Sequence, residues 1–196
     1  MFTRGFKSWC ENVSVQLRRE MDLEESAPID GYQLAKHLGI QVWTPRDIPG
    51  LDQECLRTLL HIDSDSWSAV TLCVGPKDLI IINSSHAPSR QASDLTHEIA
   101  HTLIGHEPSR VDVTPDGLLL LDTYDRQQEE EAKWLAGALL LPRIALLSIM
   151  GRRLDLKVAA KQYGVSFKML TYRISVTGVE TQYSRAKRFS KRASGR

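Results

Sequence analysis

Two histidines stand four residues apart, with a glutamate directly after the first, in the stretch "DLTHEIAHTLIGHE" spanning positions 94–107. On a helix His97 and His101 are about 400° apart by the 100° step, so their rings stack on nearly one face and can share a single cation. Glu98 is turned by about 100° from His97 and sits beside such a cation without binding it. Leu95, Ile99, Thr102 and Leu103 fall on the opposite side, giving the helix one core face and one ligand face. A solvated helix face carrying two histidines shows the same letters, so the stripe permits a metal site without requiring one.

The H-E-x-x-H spacing encodes both a metal and a base. A zinc ion held by such ligands keeps an open position for water and lowers that water's pKa toward neutrality, and an adjacent carboxylate can then take the proton during attack. Zinc hydrolases take a third protein ligand, and Glu129, Glu130 and Glu131 open a helical pattern about 30 residues downstream. With Glu129 as zero, Ala132, Ala136 and Leu140 fall within about 60° of it, whereas Glu130 and Glu131 point to about 100° and 200°. Glu129 therefore continues an apolar stripe, where a carboxylate is costly unless paired, hydrogen-bonded or metal-bound. An acid-rich first turn favoured by the helix dipole accounts for all three glutamates without choosing one. His106 lies nine residues after His97 and Gly105 eight after. That is the wrong register for the H-E-x-x-H-x-x-G-x-x-H pattern, so His106 is not expected to be a ligand.

A chain of 196 residues is long enough for one core. With 42% hydrophobic and 25% charged residues it has the balance of a globular protein. The first 20 residues are charged throughout, and nowhere do about 18 uncharged apolar residues follow one another. The expectation is a cytoplasmic protein with no membrane partner. Cys10, Cys55 and Cys73 lack CxxC pairing and read as small buried hydrophobes. The net charge of +1 conceals an asymmetry. The last 14 residues hold six Lys/Arg and no acid, leaving 19 basic against 24 acidic residues in the body. That tail, 183–196, reads as a solvated, flexible end, with nucleic acid or an acidic partner as the competing reading.

Along the chain, Trp9, Val13, Leu17 and Met21 form the apolar stripe of an N-terminal helix within 1–28. "DGYQLAKHLG" is a helix capped by Asp30 and closed by Gly39. "IQVW" is a short strand and "PGLDQECLRTLLHI" a helix. "WSAVTLCV" and "LIIINSS" flank "GPKD" as a hairpin, and an edge strand beside the histidine helix would suit an extended peptide. "HAPSRQASD" is expected to be a loop. An apolar run of undetermined type follows, then a helix from near Asp125 to Pro142, then further helices with "YGVS" as a turn. The class is α+β, mostly helical, with a small antiparallel sheet packed beside the histidine helix.

The blocks "LIIIN", "LTHEIAH", "EEEAKWLAGALLLP" and "VAAKQYGVSFKMLTYRI" together resemble the ImmA/IrrE family of metallopeptidases, over roughly positions 29–173. The second pair of blocks is similar to the family's E-x-E-A-N-x-F-A-x-x-L-L-x-P and L-A-x-x-F-x-V-S patterns. The resemblance implies a zincin-like domain over 29–182, with His97, His101 and Glu129 as zinc ligands and Glu98 as general base. It also implies a protein substrate, a helix-turn-helix repressor that silences mobile-element, phage or stress-response genes. One departure stands out: Lys133 occupies a position where the family usually has Asn or Asp, and a lysine cannot accept a hydrogen bond from a ligand histidine. It can snorkel outward and leave another acceptor to orient the ring.

The leading expectation is a zinc-dependent endopeptidase. Arg90, Tyr124, Tyr172 and Arg173 are candidates to stabilise the oxyanion, with nothing in the letters to choose among them. The alternative is a catalytically weak or inactive regulator that binds a repressor or toxin through the same fold. A DNA-binding role for the last helices is disfavoured, because the second of them carries only Lys168 and Arg173.

Overall fold

The structure, a computed structural model, describes residues 2–74, 77–106, 110–113, 119–122 and 125–193. Among these residues the helices are α1 (Phe6–Glu20), α2 (Gly31–His37), α3 (Gln53–Arg57), α4 (Pro88–Ile104), α5 (Arg126–Leu140), α6 (Arg143–Gly151), α7 (Leu156–Gln162), α8 (Phe167–Thr177) and α9 (Val179–Ala193). The strands are β1 (Gln41–Trp43), β2 (Ala69–Val74), β3 (Lys77–Ile82), β4 (Arg110–Val113) and β5 (Leu119–Asp122). Several starts follow from cap chemistry. Asp30, Asp52, Asp125, Asp155 and Ser166 each accept a backbone N–H from the first turn of the helix they precede, satisfying donors that have no helical partner.

The three-stranded sheet has the order β1-β3-β2. β2 runs antiparallel to β3 with Thr71 opposite Ile80, as the hairpin reading requires, while β1 runs parallel to β3 with Val42 opposite Ile80. The sheet is thus mixed where an antiparallel one was expected, and "LIIIN" is its central strand, not an edge. The continuous apolar run fits a central strand, because the middle of a sheet is where both faces are most readily covered by packed elements. Ile80 and Ile82 are fully buried, and Leu79 and Ile81 nearly so. The free edges are β1 and β2. The run of undetermined type forms the two-stranded β4–β5 ladder, Val111 opposite Leu121; its Pro-Asp-Gly turn lies outside the described residues, as does the turn at 75–76.

α4 begins at Pro88, so most of the segment expected as a loop is helix. Proline suits the first turn, where its missing N–H costs nothing and its fixed φ is already helical. Leu95, Thr96, Ile99 and Ala100 are buried on one side of α4, and α5 buries Ala132, Leu135, Ala136 and Ala138 to Leu140 in the same core.

The buried face of α1 is rotated from the expected stripe: Cys10, Ser14, Leu17 and Arg18 are inside, and Trp9 is 40% exposed. Polar side chains are drawn inward by the C-terminus of α5, whose last carbonyls lack helical partners. Ser14 donates to the Ala138 carbonyl at 2.7 Å, and Arg18 donates to Leu139 O at 2.8 Å and to Ala27 O at 2.9 Å. From α8, Arg173 donates to Leu141 O at 3.1 Å and to the Glu11 carboxylate at 2.8 Å. Two guanidinium groups thus meet the negative end of the helix dipole. Burial pulls the Arg18 pKa down to about 10, which leaves it charged at neutral pH.

Cys10 is buried, and its thiol is pushed up to about 12, chiefly by burial. Cys55 is exposed, contrary to its reading as a core residue, and its Sγ donates to Asp52; the Cys73 side chain is not among those described. The basic segment from Tyr183 continues α9 as far as Ala193. Among the described residues no single helix is long and apolar enough to cross a membrane.

Gly137 makes room for a buried charge. A Cβ at this position would stand 2.9 Å from Cδ of Arg173. Gly137→Ala gains about 1 kcal/mol of helix propensity, whereas forcing a methyl into a packed, hydrogen-bonded site costs about 1–3 kcal/mol. The expected net result is a loss of about 1 kcal/mol, read as a lower urea midpoint at unchanged slope; a raised midpoint would contradict this account of the glycine.

Candidate metal centre

α4 and α5 bring together the three residues that the sequence singles out as ligands. His97 Nε2 and His101 Nε2 lie 3.2 Å apart. Glu129 Oε2 is 3.3 Å from His97 Nε2, and its Oε1 is 3.2 Å from His101 Nε2. A tetrahedral zinc with bonds of about 2.0–2.1 Å sets neighbouring ligand atoms about 3.3–3.4 Å apart. Each histidine meets Glu129 at about that distance, through a different oxygen, and one donor atom from each of the three residues lies within 4.8 Å of the others. All three side chains are about four-fifths buried, and no other group of His, Cys, Asp and Glu among the described residues is so arranged. Two imidazoles and one carboxylate fit zinc by donor type as well, with room for one further ligand.

Local structure explains the convergence. His97 and His101 share a face because α4 is regular across them. Glu129 lies in the first turn of α5, capped by Asp125, whose carboxylate accepts the N–H of Gln127 at 2.7 Å. The stripe through Glu129 is the buried one, as Ala132, Ala136 and Leu140 confirm.

Burial and the neighbouring His97 drive the His101 pKa down to about 4. The ring is therefore neutral at physiological pH, the form that can bind a metal. Glu98 stands beside the trio, and Thr71 of β2 donates to its Oε2 at 2.5 Å. Its pKa is raised, first by burial; the Thr71 hydrogen bond and His97 act in the opposite direction, while Glu129 and Asp94 push it further up. Asp94, one turn before Glu98, lies 3.6 Å from His86 Nδ1 and 3.7 Å from Arg90 Nε.

Of the residues considered for oxyanion support, Arg173 is committed to the core, and Tyr124 lies outside the described residues. Arg90 faces Asp65, Asp94 and Ser68. Tyr172 is exposed on α8. His106 stays out of the triangle, as its register implies, and lies behind His101 with its Nδ1 at 3.0 Å from the Nδ1 of that ring. Thr71 was missed in the sequence, where nothing distinguishes it from any other strand threonine. Lys133 does not snorkel clear of the site: its Nζ is 3.4 Å from Glu129 Oε2, one turn along α5.

Residues 58–175, more than half of the chain, match the IrrE N-terminal-like domain family, Peptidase_M78. All three ligand candidates, Glu98 and Thr71 lie inside that span. The chain is also similar to a solved Mycobacterium tuberculosis transcriptional regulator at 12% identity and a TM-score of 0.47, with 89% of this chain and 48% of that one covered. It thus spans about half the length of that protein. No curated protein matches it.

Lys133 generates a prediction. An ammonium ion on a ligand carboxylate holds Glu129 when no cation does, and it repels a divalent ion arriving at that oxygen. Coulomb's law in water at about 5 Å, reduced by salt, makes this worth about 1 kcal/mol. Lys133→Asn is expected to tighten zinc binding about threefold to tenfold, measured by chelator competition. Weaker binding in the variant would show that the lysine supports the site instead.

Proposed function

The chain belongs to the ImmA/IrrE family of metallopeptidases, and on that premise we propose that it is a zinc-dependent endopeptidase. Its proposed substrate is a helix-turn-helix repressor of mobile-element, phage or stress-response genes, cleaved in the cytoplasm. The observation that carries the enzymatic reading is the clustered trio His97, His101 and Glu129, with a partly buried carboxylate, Glu98, on the same helix as the two histidines.

Zinc, when bound by these three residues, supplies Lewis-acid polarisation of the scissile carbonyl and makes water easier to deprotonate. Glu98 takes the proton of the attacking water and returns it to the departing amide nitrogen. Thr71 holds Oε2 of that carboxylate, leaving Oε1 as the oxygen that exchanges the proton. A pKa raised by burial suits a group that must first accept and then donate near neutral pH. The substrate backbone has a place to pair, because β2 is an edge of the sheet and carries Thr71. An extended peptide added to that edge would run past Glu98, with alternate side chains facing the two sides of the sheet.

One observation favours the second reading, a regulator that binds a repressor or toxin partner without cutting it: the Lys133 ammonium sits on a ligand carboxylate. The two readings separate in a single assay with the zinc-loaded chain and the helix-turn-helix repressor encoded nearest to it. Cleavage at a defined bond, located by mass spectrometry, is expected of the peptidase; a stable complex with an intact partner would overturn it. Glu98→Gln is expected to retain about one zinc per chain and to lose about 10²- to 10⁴-fold in cleavage rate, the usual range for removing a general base. Unimpaired cleavage by that variant would remove Glu98 from its role.

A further inference from the structure

The end of α4 turns the chain back onto its own ligand. Gly105 has φ 77°. Its N–H donates to Thr102 O at 3.2 Å, and the next N–H, of His106, donates to His101 O at 3.1 Å. This pair of bonds is the Schellman cap, in which the residue after the glycine packs against the residue whose carbonyl it reaches. The packed pair is commonly apolar; in this chain it is His106 on His101, with ring centroids 5.0 Å apart and planes inclined at 66°. The His106 side chain is only 7% exposed, and its Nε2 lies 3.4 Å from Oε2 of Glu131, itself 13% exposed. Oε1 of Glu131 accepts from Gln127 Nε2 at 3.0 Å, which fixes the carboxylate.

With His101 Nε2 as a metal donor, the hydrogens of this row have one consistent arrangement. His101 Nε2 faces His97 and Glu129, so a neutral ring offering its lone pair there carries its proton on Nδ1. That proton points at His106 Nδ1, which must accept it. His106 then carries its own proton on Nε2, directed at Glu131. Glu129 and Glu131 are about 200° apart around α5, which lets one helix meet His101 from the metal side and brace it from behind.

We propose that His106 and Glu131 are positioning residues: a hydrogen-bonded relay that holds the His101 ring in orientation and tautomer as an Nε2 donor to the ion. The proposal rests on the metal-site reading given above. It assigns a task to a histidine that is not a ligand, and it makes Gly105 part of the site, because only a residue tolerant of positive φ closes the cap without strain.

Two measurements on the full chain test it. In the zinc-loaded, ¹⁵N-labelled protein, long-range ¹H–¹⁵N correlation spectra should show His101 protonated on Nδ1 and His106 protonated on Nε2 alone. A proton on His106 Nδ1 would overturn the relay without any variant being made. In chelator competition, His106→Ala and Glu131→Ala should each weaken zinc binding about tenfold to a hundredfold, the usual effect of losing a partner of a ligand histidine. His106→Asn, which keeps an acceptor near the Nδ1 position, should recover most of that loss, and Glu131→Gln should lose less than Glu131→Ala. A purely structural role would lower the melting temperature of the zinc-free variants while leaving the affinity of the folded protein unchanged, and that result would overturn the inference. Wild-type protein that binds no zinc would sink the metal site and the relay together; wild-type binding with His106→Ala unaffected would sink only the relay.

Discussion

Everything in this molecule that bears on chemistry depends on α4 and α5 being held at a fixed separation. Ligand atoms 3.2–3.3 Å apart on two helices leave a tolerance of a few tenths of an ångström, and misplacement of about 1 Å at a reacting centre can cost about a hundredfold in rate. Small residues permit the approach, since α5 buries Ala132, Ala136, Gly137 and Ala138. Its far end is clamped by polar groups from elsewhere in the chain: Ser14 and Arg18 of α1, and Arg173 of α8, take the carbonyls of Ala138, Leu139 and Leu141. The position of Glu129 at one end of α5 is therefore set partly by buried arginines at the other. Removing one would leave a buried carbonyl or carboxylate unpaired, a cost of about 1–3 kcal/mol each.

Charge makes the same point in a different way. Glu98, Glu129 and Glu131 surround three histidines, His97, His101 and His106, of which His101 is held neutral by burial and by His97. Lys133 is the one cation within ion-pairing distance of the ligand carboxylate among the described residues, and its side chain is more than half exposed, so it offsets little. A partly buried cluster of this sign is unfavourable until a cation joins it. The burial that raises the pKa of Glu98 also strengthens attraction for such a cation, because both effects come from the low local dielectric.

Much of this was legible in the letters. The 3.6-residue period put His97 and His101 on one face of a helix and Glu129 on the apolar stripe of another, and the cap Asp30 was readable because its side chain acts within three residues of itself. What escaped depends on partners far along the chain. The rotation of α1 was hidden because Ser14 and Arg18 are buried by carbonyls more than 120 positions away, and apolar periodicity does not register a buried guanidinium. The parallel pairing of β1 with β3 spans about forty residues and leaves no local signature beyond the apolar run of β3. His106 was weighed only against a ligand register; its contact with His101 follows from the glycine cap.

Where the resembling family usually carries Asn or Asp, one turn after the ligand glutamate, an acceptor for a ligand histidine would come from α5. With Lys133 in that place, the acceptor on His101 comes from the end of α4 itself. The difference is physical. An acceptor on α5 orients the ring only while α4 and α5 keep their spacing, whereas His106, built into the C-terminal cap of α4, moves with the ring it holds, and α5 enters one step later through Glu131. The cap needs only two backbone hydrogen bonds and a glycine at positive φ, so the contact between the two rings is fixed within one helix.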